Sequence, residues 1–205
     1  MNGMHERLIF WTLNGAVQQP VSCSEGRTEE MLRGLLFGRG MVPSPMTEMT
    51  FVEQDGRVHV AAELSSAPGT GLCPVESGFS VPFSRLLRCN AAMAIKSGLF
   101  GTHMAVVYGG GEAVIRDDIG RHNAIDKAIA GACAAGLDLS RCLLGTSGRV
   151  SVEILYKAVR AGIPVVFTNK YPSDLAMAEA SRLGVMIAWP ENGEIRTAGR
   201  ERLEK

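Results

Sequence analysis

The chain has 205 residues, 46% hydrophobic and 20% charged, which excludes a disordered chain and lets it bury a core without staples. Its 21 Lys and Arg balance its 21 Asp and Glu, so net charge favours neither nucleic acid nor an acidic partner, and only local clusters can. The 5 cysteines, an odd number without a C-x-x-C pair, are no disulfide framework and point to a reducing compartment.

The N-terminal run MNGMHERLIFWTLNG lacks the apolar length and cleavage site of a secretory signal. No stretch approaches the roughly 18 uninterrupted apolar residues of a membrane span. A soluble cytoplasmic protein is expected. RLIFWTLNGAVQQPVSC reads as two short strands about the Asn14-Gly15 turn. Thr28 opens a helix with acids in its first turn and Gly38 and Gly40 at its end. MTEMTFVEQDGRVHVAAEL predicts a hairpin about Asp55-Gly56. Ser65 to Gly78 has Gly, Pro and Ser punctuation without periodicity, and so predicts a long loop. A helix over Pro82 to Ser97 follows, then two strands in HMAVVYGGGEAVIRDD.

Beyond this point helices and short, continuous apolar strands alternate: RHNAIDKAIAGACAAG, CLLGT, VSVEILYKAVRAG, IPVVFTN, SDLAMAEASRLG and VMIAWP. Strands of that kind are covered on both faces, and the alternation predicts an α/β sheet. ENGEIRTAG adds a hairpin strand at Asn192-Gly193. The expected organisation is an N-terminal β-hairpin and helix portion over 1–64, a cysteine-bearing loop over 65–80 and an α/β core over 81–205, in one compact unit.

Ligands of open α/β sheets gather at the carboxyl ends of strands. Three segments are predicted there: DDIGRHNAIDK, GTSGRVS and TNKYPSD. GTSGRVS has the character of a phosphate loop. Gly148 permits close approach, Thr146, Ser147 and Ser151 offer hydroxyls, Arg149 offers a fork, and the next helix points free N–H groups back. It is not a Walker A sequence, and an ordinary capped turn would look similar.

In DDIGRHNAIDK an acid such as Asp118 and Gly120 explain a helix cap. Arg121, His122 and Asn123 exceed that need, and Lys127 shares a helical face with Asn123. His103 begins an apolar strand, where a structural role is the common one. Tyr171 and Trp189 end strands, where a ring can stack on a base or pterin or simply edge the core. Cys73 is the one thiol in the Gly-rich loop, although Glu76 nearby opposes thiolate formation. Cys23 is the second accessible candidate.

From LNGAVQQPVSC, SGLFGTHMAVVY, DDIGRHNAIDKAI, TSGRVSVEILYKAVRAGIPVV and SDLAMAEASRLGVMI, nearly end to end, the chain resembles the formate dehydrogenase accessory sulfurtransferases, the FdhD/NarQ family. The resemblance implies a three-layer α/β/α sandwich of cytidine-deaminase-like type, a mixed sheet with a small N-terminal β/α portion. It implies persulfide transfer from a cysteine desulfurase to bis-molybdopterin guanine dinucleotide, the molybdenum cofactor, before insertion into formate dehydrogenase. It also implies a homodimer without a tightly held metal of its own. The cofactor-binding set becomes His103, Asp118, Arg121, His122, Asn123, Lys127, Thr146, Ser147, Gly148, Arg149, Ser151, Trp189, Asn192 and Gly193. The last three fall in AWPENGEIR, where Glu191 departs from the family pattern.

The family carries its sulfur chemistry on a C-x-x-C loop after two hydroxyl residues. Here Ser65 and Ser66 are followed by Cys73 alone. Cys73 is therefore the candidate persulfide carrier, without a second loop thiol to resolve it. The alternative is a non-catalytic cofactor chaperone that has lost the relay. Zinc-dependent deamination needs H-x-E and P-C-x-x-C, and neither occurs. Nucleic-acid binding lacks a basic stripe.

Overall fold

The computed structural model describes residues 5–41, 48–54, 57–64, 72–95 and 101–204. The Asp55-Gly56 turn and the Ser65-Ser66 pair lie outside them.

Asn14 and Gly15 both take positive φ, 48° and 76°, the conformation that a two-residue hairpin turn requires. They join β1 (Glu6–Leu13) to β2 (Ala16–Val17), and β3 (Val21–Ser24) pairs with the other half of β1. β4 (Met49–Gln54) and β5 (Arg57–Ala62) complete a sheet of order β2-β1-β5-β4. Alternate residues Ile9, Trp11, Val58 and Val60 face inward, as the two-residue strand period dictates. They bury Met31, Leu32 and Leu36 of α1 (Thr28–Gly38), whose first turn carries Glu29 and Glu30 toward the positive helix end.

The second sheet contains β6 (His103–Gly109), β7 (Glu112–Asp118), β8 (Leu143–Thr146), β9 (Val165–Thr168), β10 (Met186–Glu191) and β11 (Glu194–Gly199), in the order β11-β10-β9-β8-β6-β7. β8, β9 and β10 are mutually parallel, and the other pairings are antiparallel. Each apolar strand feeds two cores. Met104, Val106, Leu143, Val165, Phe167 and Met186 meet α2 (Phe83–Ile95) on one face. Ala105, Val107, Leu144, Val166 and Ile187 meet α3 (Arg121–Ala134), α4 (Val152–Arg160) and α5 (Asp174–Arg182) on the other. This is the expected α/β/α sandwich.

The N-terminal sheet docks on the sandwich through α1 and α3. A Cβ on Gly34 of α1 would stand 2.0 Å from the Asp126 carbonyl oxygen, so only glycine permits this approach. Glu30 accepts two hydrogen bonds from Arg116, at 2.6 and 2.8 Å, beside that contact.

Candidate functional site at the carboxyl edge of the sheet

The strand directions collect the chemistry. β7 is antiparallel to β6, which is antiparallel to β8, so the carboxyl ends of β7, β8, β9 and β10 and the amino end of β6 share one edge. Register fixes the neighbours there: His103 opposite Asp118, Ala105 opposite Thr146, and Thr146 opposite Thr168. The three loops singled out from sequence all leave this edge.

Between them lies a cleft of about 340 Å³ lined by Arg121, Arg149, Val150, Ser151, Tyr171, Pro172 and Ser173. The helix-entry loop and the glycine loop touch directly. A Cβ on Gly148 would lie 2.9 Å from Cβ and 3.0 Å from Cδ of Arg121, so the arginine stem crosses the space that glycine leaves open. Arg121 Nε and Ser151 Oγ are buried without a hydrogen-bond partner. Ser151 is the N-cap of α4, yet its side chain makes no capping bond, which leaves the first N–H groups of that helix free of a side-chain acceptor. A buried unpaired polar atom costs about 1–3 kcal/mol, and an oxygen-bearing guest or ordered water in the cleft would complete both, whereas Arg160 Nε and Arg202 Nε are also unpartnered and do not line it. Two guanidinium groups, a hydroxyl and a helix N-terminus on one cleft suit an anion with several oxygens.

The other predicted site residues have separate fates. Thr146 Oγ1 accepts from Gly148 N at 3.1 Å, and Ser147 Oγ accepts from Met104 N at 2.8 Å, so both hydroxyls brace the loop. Trp189 is buried with an unpartnered Nε1, and its ring meets Tyr171 edge-on at 5.6 Å between centroids. Asn192 and Gly193 form the exposed turn between β10 and β11, with φ of 52° and 83°. Arg196 beside them is 3.3 Å from Glu191 and 3.7 Å from Glu194.

Asp118, Asn123 and Lys127 form a buried network against the N-terminal sheet. Asp118 accepts from Gly120 N at 2.9 Å, Asn123 Nδ2 at 3.0 Å and Ser24 N at 3.2 Å, and pairs with Lys127 Nζ at 2.7 Å. Asn123 also donates to the Ser22 carbonyl at 2.7 Å. These groups hold the helix entry in place from below while Arg121 faces the cleft.

The two histidines flank Arg121. Burial, and then the Arg121 charge, holds His103 below the ordinary imidazole pKa, against the pull of Asp118. Burial, and then Lys157 and Arg121, lowers His122, opposed by Glu153, whose carboxylate is 3.8 Å away. Tyr171, Pro172 and Ser173 come from the third loop. Sequence reading placed that loop at the edge but drew only a stacking ring from it. The available signal was Ser173 before a helical pattern; its hydroxyl caps α5 by accepting from Ala176 N.

Cys73 is exposed and does not line the cleft. Two residues on, Val75 donates to the Leu183 carbonyl at the C-terminal end of α5. Ser77 donates to the Ser140 carbonyl ahead of β8. Buried Arg202 binds the carbonyls of Ser77, Phe79 and Gly184. All of these anchors belong to the amino edge of the sheet, so the Cys73 segment is tethered opposite the cleft. Burial pushes the thiols of Cys23 and Cys142 up to about 11 and that of Cys89 to about 12, and also raises Cys133.

Together the fold and this edge define an α/β/α protein with a cleft lined by two arginines at the carboxyl edge of its sheet. The chain belongs to the FdhD/NarQ family, whose model matches residues 72–195. A relative from Methanothermobacter thermautotrophicus, named sulfur carrier protein FdhD, is 27% identical over 201 residues, covering 85% of this chain and 79% of that protein. A Streptomyces avermitilis protein of the same name is 44% identical over 103 residues, covering 49% of this chain but 36% of that protein. The fold is shared with a crystal structure from Desulfotalea psychrophila, assigned as a formate dehydrogenase accessory protein. That match has a TM-score of 0.77 at 21% identity and covers 98% of this chain and 89% of the other. Among the described residues no helix is long and apolar enough to cross a membrane.

Proposed function

We propose that the chain is a sulfur carrier in formate dehydrogenase maturation, with Cys73 as carrier and the carboxyl-edge cleft as the seat of the nucleotide end of bis-molybdopterin guanine dinucleotide. The observation that carries the reading is the pair of unspent buried donors, Arg121 Nε and Ser151 Oγ, at the uncapped end of α4 in an FdhD/NarQ chain. Phosphate oxygens satisfy both, and Arg149 at the exposed rim adds a second guanidinium. The exposed Tyr171 ring offers a stacking face beside them.

Sulfur loading uses the other edge. The Cys73 thiolate attacks the outer sulfur of a cysteine desulfurase persulfide, a new S–S bond forms on Cys73, and the desulfurase thiolate leaves. The cofactor is cargo and supplies the molybdenum that receives the sulfur. Because Cys73 lies at the edge opposite the cleft, delivery requires the molybdenum end of a cofactor seated there to reach the Cys73 edge. There the outer sulfur would pass to it and the Cys73 thiolate would be released. The working form in this reading is a cytoplasmic homodimer.

The test pairs two measurements on the full chain. Incubation with a cysteine desulfurase and cysteine adds one sulfur atom to the intact mass, and Cys73→Ser abolishes the gain. Calorimetric titration with guanosine diphosphate shows binding that Arg149→Ala weakens and Cys73→Ser leaves alone. A folded wild type that gains no sulfur and binds no nucleotide sinks the proposal.

A further inference from the structure

The cleft depends on where Arg121 is held, and a residue outside the cleft controls that. Thr168, at the end of β9, is fully buried, and its hydroxyl is spent twice. It donates to the Gly148 carbonyl at 2.8 Å and accepts from Lys170 N at 3.0 Å. Thr146, its cross-strand partner, accepts from the N–H of the same Gly148 at 3.1 Å. The N–H and the carbonyl of Gly148 are thus fixed by hydroxyls from two adjacent strands. It is against this clamped residue that the Arg121 stem rests, within 3.0 Å of where a Gly148 Cβ would sit.

We infer that Thr168 is a positioning residue for Arg121, acting through the Gly148 carbonyl. The inference rests on the reading of the cleft as an anion site and adds a residue that does not line it. Lys170 N ties the same hydroxyl to the loop that carries Tyr171 and Ser173. This hydroxyl therefore braces both walls of the cleft, alongside the Ser173 N–H that donates to the Val150 carbonyl at 2.9 Å. Removing it leaves the buried Gly148 carbonyl without the Thr168 donor, and the loop can then shift to find another and carry Arg121 with it.

Thr168→Val keeps the shape of the side chain and deletes the hydroxyl, while Thr168→Ser keeps the hydroxyl and deletes a methyl. Guanosine diphosphate is titrated into the full-length wild type and both variants, each checked for native circular dichroism. The expected result is binding weakened about tenfold in Thr168→Val and restored in Thr168→Ser. A purely packing role predicts the reverse order and overturns the inference, as does unchanged binding in Thr168→Val. Phenylglyoxal modification of Arg121, followed by peptide mass, gives a readout without ligand. The rate rises in Thr168→Val and stays near wild type in Thr168→Ser. If wild type binds no nucleotide, the cofactor reading fails, and the Arg121 labelling rates alone decide whether Thr168 positions it. Should Thr168→Val not fold, Gly148→Ala displaces the Arg121 stem from the other side; unchanged Arg121 labelling in that variant also overturns the inference.

Discussion

Lys127 Nζ lies 2.7 Å from Asp118 Oδ2, and both side chains are almost wholly withdrawn from water, at 2% and 0% exposure. The pair joins the middle of α3 to the end of β7, and Asp118 extends the link to Ser24 of the N-terminal sheet. Removing one partner strands the other charge. Asp118→Asn is expected to cost about 3–5 kcal/mol, more than a surface ion pair ever returns. The double variant Asp118→Asn, Lys127→Met leaves no orphaned charge and loses less. Urea unfolding of the three proteins at pH 7.5 checks the order; a double variant as unstable as the single one contradicts it.

That pair also explains what sequence alone made legible. The crowding of DDIGRHNAIDK was visible, and so was its place at a strand end, because turn chemistry and apolar periodicity are local. The division of labour within it was not. Asp118, Asn123 and Lys127 bind Ser22 and Ser24, roughly a hundred positions earlier, through contacts that no local pattern records. Likewise Ser147 has the hydroxyl of a phosphate loop, but its partner is the Met104 N–H on the next strand. Glycine spacing marks Gly148 as a place where a phosphate can come close, whereas the tertiary structure puts the Arg121 stem in that space.

Gly34 carries the second prediction. A methyl there would stand 2.0 Å from the Asp126 carbonyl oxygen and 2.4 Å from its carbonyl carbon, and backbone atoms cannot swing aside as a side chain does. Gly34→Ala forces α1 away from α3 and loosens the Glu30–Arg116 contact. The helix-propensity gain from alanine, under about 1 kcal/mol, does not offset an overpacking cost of about 1–3 kcal/mol or more. Thermal unfolding should show a lower Tm than Gly26→Ala, where a Cβ meets nothing within 4 Å but the φ of 87° is strained.

Acid sensitivity should trace to the histidines. His103 and His122 bind protons less readily in the folded state than in the unfolded chain, because burial and the Arg121 charge oppose the imidazolium. Their contribution to stability is complete above the ordinary imidazole value of about 6.5 and is lost as pH falls through the lower folded-state values. Asp126 works in the opposite sense. Burial lifts its carboxyl to about 6, against Lys157, so its contribution is lost as pH rises toward that value. The readout is therefore the difference between wild type and His103→Gln, His122→Gln. Between pH 7.5 and 5.5 the urea midpoint of wild type falls more than that of the double variant; parallel slopes would refute the assignment.

The last prediction concerns which sulfur is available. Thiolate, not thiol, attacks a persulfide, and the buried sulfurs are poor sources of it. Burial is the leading cause at Cys23, Cys89 and Cys142, with Asp118 adding to the first and Asp138 to the third. Cys89 and Cys142 also fill the space left by glycines: a Cβ on Gly145 would stand 2.1 Å from Cys89 Sγ, and one on Gly109 would stand 2.3 Å from Cys142 Sγ. Those sulfurs are packing groups, and Cys133, though on the surface, is raised as well. Iodoacetamide at pH 7.5 should therefore modify Cys73 first. Cys23, Cys89 and Cys142 should follow on the order of a hundredfold more slowly in the folded protein, and all five should react alike in urea. Peptide mass against time measures this directly. If Cys133 or Cys23 reacts as fast as Cys73 in the native chain, a carrier role confined to Cys73 loses its physical basis.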